Sequence, residues 1–394
     1  MAFMGFSMLV ACTKRELTGF KPEVPESQLL ILLQNANLTY DSNIQNDQND
    51  FFPRSLNPEG GISYVASPDW CSGFFPGNLW QMAKLTGNEK WKNEAFKYTL
   101  LMEREKWNGR THDMGFKIMC SFGNALEQTN NPDLEKVIIQ AANTLITRFN
   151  EKVGCLKSWD HNPTLWSFPV IIDNMMNLEL LFKATELTGD SSYYHIAVSH
   201  ANTTLQNHFR IDNSSYHVVD FNPETGEVIA KFTHQGDSDE SAWSRGQAWG
   251  MYGYVLMYRE TKDKMYLEQA QKITRYIFDH PNLPQDKIPM WDFNYDEFSG
   301  EPRDVSAAAI IASALFELAN YVPEKQNHHR ELAIDMLKVM MEKYASAPGE
   351  NFGYLLSHSV GFRHRDHEVD VPLIYADYYF LEALNRYFLI NNRL

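Results

Sequence analysis

The sequence lacks the residue patterns of a metal or cofactor site. It has four cysteines, and none of them forms a CxxC pair or stands at a zinc-ligand interval from a histidine. Cys71, Cys120 and Cys155 have apolar or aromatic neighbours and are predicted to be ordinary core thiols. Glycine-rich phosphate loops and dinucleotide-binding turns are also absent. We therefore predict a protein that needs no metal ion and no organic cofactor.

Positive charge is scarce as well. The chain has 35 Lys and Arg residues against 50 Asp and Glu residues, which gives a formal net charge of -15. A field of this sign repels nucleic acids and anionic membrane surfaces, so neither is expected as a partner. An anionic small substrate remains possible, provided that the site supplies local Arg or Lys. We expect a monomer or a small homo-oligomer.

Long apolar runs are missing after the first residues, so no later segment is predicted to span a membrane. The start, "MAFMGFSMLVACTKRE", is a short apolar run that ends at Cys12 and is similar to a bacterial lipoprotein cleavage site, although no Lys or Arg precedes it. It predicts that residues 1–12 form a signal and that Cys12 becomes lipidated. The protein would then be exported and anchored to a membrane, facing the periplasm or the cell surface.

Strand patterns are rare, and the recurring pattern is a pair of helices joined by a polar turn. "LWQMAKLTGNEKWKNEAFKYT", "LLFKATELTGDSSYYHIAVSHAN" and "GYVLMYRETKDKMYLEQAQKIT" are clear examples, with apolar residues at helical spacing on both sides of the turn. The best strand candidate is a short hairpin in "SSYHVVDFNPETGEVIAKF". Residues 13–55 are predicted to be a tether with a first helix, and residues 56–394 a single, mostly helical domain.

Stacked helical hairpins can form an open solenoid or close into a ring. The loops that precede the hairpins are long and rich in Trp, Gly, His and Asp, as in "SPDWCSGFFPGNLW" and "LKSWDHNPTLWSFPVIIDN". An open solenoid gives no reason for this enrichment once per repeat. A closed ring brings all these loops to one end of the barrel, where a site can be built.

Two acidic residues stand at the start of apolar segments. Asp113 lies in "RTHDMGFKIM", and Asp173 lies in "FPVIIDNMMNLELL" between paired isoleucines and paired methionines. Burying an ionised carboxylate is costly unless it is paired or protonated. Each could instead be a helix N-cap, which typically contributes about 1 kcal/mol. Two buried acids suit chemistry that needs unequal pKa values, with the more apolar neighbours around Asp173.

Six motifs in order resemble the unsaturated glucuronyl hydrolases, glycoside hydrolase family 88, over roughly residues 60–390. They are "WCSGFFPGNLW", "THDMGF", "IIDNMMNLELL", "DESAWSRGQAWGMYGY", "WDFNYDEFSGEPRDVSAAAI" and "DVPLIYADYYFLEAL". The resemblance implies an (α/α)6 barrel. It also implies a substrate made by polysaccharide lyases, an oligosaccharide whose non-reducing uronate carries a C4=C5 double bond. The implied reaction is hydration of this vinyl ether, which releases the partner sugar.

The resemblance also implies roles for individual residues. Asp173 would donate the proton and then act as the base for water, and Asp113 would bind sugar hydroxyls and raise the pKa of Asp173. His217 and Gln235 would orient the water and the acid. Arg245 would suit the uronate carboxylate or a sulfate, with Trp249 on the same helix face for stacking. Further candidates for substrate binding are His112, Trp70, Trp159, Ser357 and Ser359.

Structural roles are alternatives for several of these residues: a buried ion pair for Arg245, core packing for the tryptophans, and a surface hairpin for His217. Arg303 and Asp304 are predicted to form a structural pair. The segment "LLSHSVGFRHRDHEVD" has Gly361 where a sulfate-binding Lys would be attractive, and Arg363, His364 and Arg365 follow. The choice among chondroitin, hyaluronan, heparin-type and ulvan fragments stays open.

Other functions are compatible with the same barrel. An unsaturated rhamnogalacturonyl-type hydrolase would apply this chemistry to pectin fragments. An inverting glycosidase would use the two acids on saturated substrates. A non-catalytic glycan-binding lipoprotein would have lost the chemistry, but both acids are present. A structural solenoid predicts no enrichment of Trp and acids in one set of loops.

Overall fold

The computed structural model describes residues 20–46, 48–49 and 51–391. Cys12, the predicted signal and the first residues of the predicted tether lie outside this range. Thirteen α-helices are found within it: α1 (Glu26–Gln45), α2 (Phe74–Thr86), α3 (Glu89–Leu101), α4 (Met114–Ile118), α5 (Asn124–Thr129), α6 (Pro132–Ile146), α7 (Glu179–Thr188), α8 (Ser191–Asn207), α9 (Ser244–Thr261), α10 (Lys264–Asp279), α11 (Val305–Leu318), α12 (Gln326–Val339) and α13 (Ile374–Ile390).

The helices form two concentric layers, and the inner layer closes into a ring. A π-helical turn, Met119–Gly123, joins α4 and α5 into one inner rod, and a 3-10 helix, Ile172–Leu178, extends α7 in the same way. With α2, α9, α11 and α13 these make six inner rods, and α13 closes the ring by packing against both α2 and α11. Every residue of α11 is buried, as expected for a helix surrounded on all sides. The predicted (α/α)6 barrel is confirmed.

Tight turns gather at one end of the barrel. Four hairpins use the same two-residue connector. Its first residue has a left-handed backbone conformation, and its second is an Asn or Asp that caps the next helix. The cap side chain accepts the backbone N–H two residues on, which satisfies a free donor of the next helix. The connectors are Gly87–Asn88, Asn130–Asn131, Gly189–Asp190 and Lys262–Asp263. Each tight turn joins the two helices of one hairpin. The long connections that join one hairpin to the next therefore lie at the opposite end of the barrel.

Four small antiparallel sheets stiffen the long connections. They are β1 (Phe52–Leu56) with β2 (Ile62–Val65), β3 (Phe149–Asn150) with β4 (Cys155–Leu156), β5 (Pro169–Ile171) with β6 (Val218–Phe221) and β7 (Val228–Phe232), and β8 (Ser359–Phe362) with β9 (His367–Val371). The predicted hairpin is the β6–β7 pair. It gains β5 as a third strand, with Val170 opposite Val219. Since β5 leads directly into the 3-10 helix, this sheet fixes the start of that helix.

Helix α1 is part of the outer layer. Its leucines Leu29, Leu32 and Leu33 are buried. Trp91 Nε1 on α3 donates to Glu26 Oε1 at 2.7 Å, which ties α1 to its neighbour. No helix within the described residues is both long and apolar enough to cross a membrane. The boundaries at residues 12 and 55 remain predictions.

Candidate active site

A cavity of about 210 Å³ opens at the end of the barrel that carries the long loops. Its lining comes from the N-terminal ends of α4, the 3-10 helix, α9 and α13 together with the loops around them. The lining residues are Arg54, Trp70, His112, Asp113, Phe116, Trp159, His161, Ile171, Asp173, His234, Gln235, Arg245, Gly361, Phe362, His367, Glu368 and Tyr375. Seven of the predicted site residues therefore meet in one cavity.

Asp173 is the buried acid of this cavity. It lies in the first turn of the 3-10 helix, and Ile171 rather than Asp173 occupies the N-cap position. Burial raises the pKa of Asp173 to about 7, with a smaller increase from the charge of Asp113 and an opposing effect of Arg245. Its Oδ2 has no hydrogen-bond partner among the described residues. A carboxyl group of this kind is protonated in a large fraction of molecules near neutral pH.

Asp113 is the second acid and has a more polar environment. It occupies the N-cap position of α4, but its side chain makes no cap hydrogen bond. Its Oδ2 accepts a hydrogen bond from Thr111 Oγ1 at 2.6 Å, and its Oδ1 lies 3.3 Å from His112 Nε2. Burial lowers the pKa of His112, which favours a neutral imidazole. Neither acid is thus used as a helix cap, so both remain free for a ligand.

His217 lies beside Asp173 but does not line the cavity. Its Nδ1 accepts the backbone N–H groups of His234 and Gln235 at 3.2 and 3.0 Å. Burial lowers the pKa of His217 well below its usual value. A neutral imidazole whose Nδ1 accepts must carry its proton on Nε2. That Nε2 lies 3.7 Å from Asp173 Oδ2.

Gln235 and Arg245 hold one strand of the β8–β9 hairpin. Gln235 Nε2 and Arg245 Nη2 both donate to the carbonyl oxygen of Gly361, at 3.0 and 2.8 Å. Arg245 Nη1 also donates to the Val360 carbonyl and forms an ion pair with Asp304 at 2.8 Å. The guanidinium of Arg245 lines the cavity, but its charge is already neutralised by a buried carboxylate.

The predicted Arg303–Asp304 pair is wrong. Asp304 pairs with Arg245, whereas Arg303 pairs with Asp286 at 3.4 Å and donates to the Ile288 carbonyl. Arg303 forms a β-bridge with Met290, and Asp304 also has extended dihedral angles. Consecutive side chains on extended backbone point to opposite sides, so the two cannot meet.

The predicted tryptophans have different locations. Trp70 and Trp159 line the cavity, and Trp70 packs against Phe116 and Tyr375. Trp249 does not line it: this residue is fully buried one helical turn deeper than Arg245, between Phe116 and Tyr379. Stacking on a sugar needs an exposed ring face, so Trp249 is a core residue.

Ser357 and Ser359 do not line the cavity. Ser357 Oγ accepts a hydrogen bond from Asn351 Nδ2 at 2.8 Å, and Ser359 is fully buried at the start of β8. The part of this segment that reaches the cavity is Gly361, Phe362, His367 and Glu368. The positions of Ser357 and Ser359 therefore do not support the prediction that they bind substrate.

Several lining residues were not singled out from the sequence. Arg54 lies in the predicted tether region, where it forms a bidentate ion pair with Glu368, at 2.6 and 2.9 Å, and contacts Asp69 at 2.7 Å. His161 lies in the Trp-rich loop "LKSWDHNPTLWSFPVIIDN", and His234 directly precedes Gln235. Trp243 does not line the cavity, but its ring packs 4.7 Å from the His217 ring and lies under the Arg245 guanidinium. No cluster of three or more His, Cys, Asp or Glu side chains with metal-binding geometry occurs in the described part of the chain.

Comparison with known proteins agrees with this geometry. The model of Glycosyl Hydrolase Family 88 matches residues 44–378. An unsaturated glucuronyl hydrolase from Formosa agariphila is 50% identical over 339 residues, which covers 85% of this chain and 84% of the relative. An unsaturated chondroitin disaccharide hydrolase from Streptococcus agalactiae is 36% identical over 329 residues, covering 81% of each protein.

A solved structure has the same fold as this chain. The crystal structure of an unsaturated glucuronyl hydrolase specific for heparin superimposes with a TM-score of 0.87 at 43% identity, covering 93% of this chain and 97% of the other. The fold and the cavity with its two acids define a class of enzyme, the glycoside hydrolases built on an (α/α)6 barrel. Within that class the chain belongs to Glycosyl Hydrolase Family 88.

Proposed function

We propose that this enzyme removes the unsaturated uronate from the non-reducing end of lyase-generated oligosaccharides by hydrating the C4=C5 bond. The observation that carries this proposal is Asp173, a buried carboxyl group with a pKa of about 7 in the same cavity as a second acid. Protonation of a vinyl-ether carbon needs a strong, correctly placed proton donor at neutral pH. The names of the relatives support the same substrate class.

The proposed reaction uses the two protonation states of Asp173 in turn. Its carboxylic acid gives a proton to C4, and positive charge develops at C5 and the ring oxygen. Water then adds to C5 and returns a proton to the Asp173 carboxylate. The resulting hemiketal opens by itself and releases the partner sugar and a keto acid. His217, with its proton on Nε2, would hold the water or the acid in place.

Asp113 would bind the substrate and stabilise the transition state, whereas Asp173 would transfer the proton. With a more polar environment, it can accept hydrogen bonds from sugar hydroxyls. Its negative charge raises the pKa of Asp173. It would also stabilise the positive charge that develops on the sugar ring. Trp70 and Trp159 would pack against the ring faces.

Glycosaminoglycan and ulvan fragments are the proposed substrates. The named relatives act on glucuronyl, chondroitin or heparin material, which favours glycosaminoglycan disaccharides. A rhamnogalacturonyl-type substrate and an ordinary glycosidase activity are less well supported. No specific contact in the cavity favours either of them.

The test follows the ultraviolet absorbance of the conjugated double bond with unsaturated chondroitin, heparin, ulvan and rhamnogalacturonan disaccharides. Wild type and Asp173→Asn are compared. Saturated disaccharides, which lack this chromophore, serve as controls and are followed by chromatography of the released sugars. In deuterated water, the product should carry one deuterium at C4, delivered to a single face. Spontaneous rearrangement after ordinary glycosidic cleavage would not give this stereospecific label. Turnover of saturated substrates, or unselective labelling, would contradict the proposal.

Export and lipidation at Cys12 are proposed separately, on the N-terminal sequence pattern alone. Cys12→Ser should abolish incorporation of a radiolabelled fatty acid and move the protein from the membrane fraction to the soluble fraction. Unchanged labelling in the variant would contradict this proposal without affecting the catalytic one.

A further inference from the structure

A second and larger cavity lies at the end of the barrel that carries the tight turns. Its volume is about 490 Å³, compared with about 210 Å³ for the cavity of the two acids. The last turns of five inner helices, α2, α5, α7, α9 and α13, contribute Lys84, Glu127, Glu186, Glu260 and Leu389 to its lining. The C-terminal ends of helices carry partial negative charge, so their convergence favours a cation.

The outer charges of this cavity balance one another. Lys84 pairs with Glu127 at 2.8 Å, and Lys183 pairs with Glu186 at 2.8 Å. The two glutamates are mostly exposed, and the two lysines are partly exposed. Because each charge has its partner and contacts solvent, these pairs contribute little attraction for a ligand.

The deeper charges do not balance. They form one network of two arginines and four glutamates joined by ion pairs: Arg259, Arg386, Glu179, Glu260, Glu317 and Glu382. Two guanidinium groups against four carboxylates leave an excess of two negative charges when all are ionised. Burial raises the pKa of Glu179, Arg259 opposes this effect, and the other three carboxylates add to the increase. The network therefore lacks positive charge.

Two oxygen atoms of lining residues have no hydrogen-bond donor among the described residues. Glu179 Oε1 accepts from Arg259 Nη2, whereas Glu179 Oε2 accepts from no group. Asn385 is only 2% exposed, and its Nδ2 donates to the carbonyl oxygen and Oε1 of Gln81, at 3.0 and 2.7 Å. Its Oδ1 has no partner. Buried polar atoms are rarely left unpaired in native proteins, so this cavity lacks a donor as well as a positive charge.

The lining favours an organic cation over a bare metal ion. The described residues contain no group of three or more His, Cys, Asp or Glu side chains that could hold a metal ion. Apolar surface lies among the polar groups and comes from Met119, Leu126 and Leu389 and from the rings of Tyr252 and Tyr378. The methylene groups of an alkyl chain would cover this surface.

We propose that this cavity binds a small aliphatic diamine, whose two ammonium groups supply the missing donors and match the excess of two negative charges. Glu179 and Glu382 also line a small adjoining cavity of about 20 Å³ that reaches Phe116, so they mark the inner end of the site. One ammonium group binds there. The other lies towards Glu260 and the helix ends. The site is separate from the cavity of the two acids and does not depend on the proposed function.

The first experiment is isothermal titration calorimetry of the full chain with 1,4-diaminobutane, in about 0.15 M sodium chloride to screen non-specific attraction. We expect saturable binding of one diamine per chain. Butylamine, with one charge, and the variant Glu179→Gln should each weaken binding about ten-fold. Glu186→Gln is the matched control on the same helix, because it removes an outer carboxylate, and it should bind the diamine nearly as wild type does. Absence of saturable binding, or equal affinities of Glu179→Gln and Glu186→Gln, would overturn the proposal.

The second experiment places a cation in the cavity by substitution and decides the question even if Glu179→Gln does not fold. Leu389 lines the cavity and is 51% exposed, so a longer side chain can be accommodated there. Leu389→Lys should unfold about 1–2 °C above Leu389→Met, which has a flexible chain without charge. The diamine should raise the unfolding midpoint of wild type and Leu389→Met, but not that of Leu389→Lys. A Lys variant that is no more stable than the Met variant, or that responds to the diamine as wild type does, would overturn the proposal.

Discussion

Nε2 of His217 lies 3.7 Å from Oδ2 of Asp173, and the other nitrogen of the same ring is occupied by two backbone N–H groups. The imidazole is therefore fixed in one tautomer and one orientation, with its proton facing the acid. A proton-bearing neutral ring leaves the Asp173 carboxyl free to cycle between its two protonation states. A protonated histidine would lower the pKa of Asp173 and weaken its ability to hold a proton.

The pH profile should report the pKa of Asp173. In the proposed reaction the Asp173 carboxylic acid acts first, so kcat/KM should fall above about pH 7, the pKa of Asp173 in the free enzyme. Asp113→Asn removes a charge that raises this pKa, so the alkaline limb should move to lower pH. Disaccharide hydrolysis measured from pH 5 to 9 tests both statements. An unshifted limb in Asp113→Asn would mean that the two carboxylates do not interact.

The role of His217 can be separated from simple packing. His217→Phe keeps a ring against Trp243 but removes the Nε2 donor, and we expect kcat to fall about 10²-fold with a small change in KM. His217→Gln keeps an N–H donor and should retain more activity than the Phe variant. Steady-state kinetics and thermal unfolding of both variants provide the measurement. Equal kcat values for the two would assign His217 a packing role.

Much of the fold and of the candidate site could be predicted from the local sequence. Helical hairpins follow from apolar periodicity and their polar turns, and closure follows from the composition of the long loops. Asp113 and Asp173 could be singled out because Asp113 directly precedes an apolar run and Asp173 lies between two apolar runs. These features depend on neighbours within a few residues, which a single sequence displays directly.

The remaining features depend on partners that are distant in the sequence. Arg54 and Glu368 are 314 residues apart, and nothing local indicates that they meet. Trp249 has the right spacing from Arg245 to share its helix face, but depth along the barrel axis decides which residue reaches the cavity. The third strand, β5, is only three residues long and exists because β6 pairs with it.

The Arg54–Glu368 ion pair should contribute strongly to stability. The side chains are 16% and 5% exposed, so Arg54→Met would leave a nearly buried carboxylate without its bidentate partner. We expect a loss of about 3 kcal/mol in the free energy of unfolding. The double variant Arg54→Met/Glu368→Gln should recover part of this loss, because Glu368 no longer carries a charge, whereas the more exposed Asp69 still loses its ion pair with Arg54. Denaturant unfolding of the single and double variants measures both effects.

The matched control is an ion pair on the surface. Lys136 and Asp133 are largely exposed and lie 2.8 Å apart, so Lys136→Met should leave the unfolding midpoint unchanged. If Arg54→Met were as mild as Lys136→Met, the β1 and β9 segments would not be held together by this pair.

Gly115 lies at the contact between the segments that carry Asp113 and Asp173. A Cβ on this residue would lie 2.9 Å from the carbonyl oxygen of Asn177 and closer still to its Cα, on the 3-10 helix that carries Asp173. Phe116 N donates to Asn177 Oδ1 at 2.9 Å, so the contact has little freedom to relax. Gly115→Ala should therefore move Asp113 away from Asp173 and lower kcat by about 10²-fold, since small displacements of catalytic groups are costly. The measurement is kcat together with the unfolding midpoint.

Gly250 on α9 is the matched control for Gly115, because it is also a buried glycine of the inner ring. A Cβ there would lie 3.5 Å from Ile172 Cγ1, an ordinary van der Waals distance. Gly250→Ala should retain activity and gain about 0.5–1 kcal/mol in unfolding free energy from its better helix propensity. A Gly115→Ala variant with wild-type kcat would show that the spacing of the two acids tolerates displacement. That result would favour Asp173 acting without close support from Asp113.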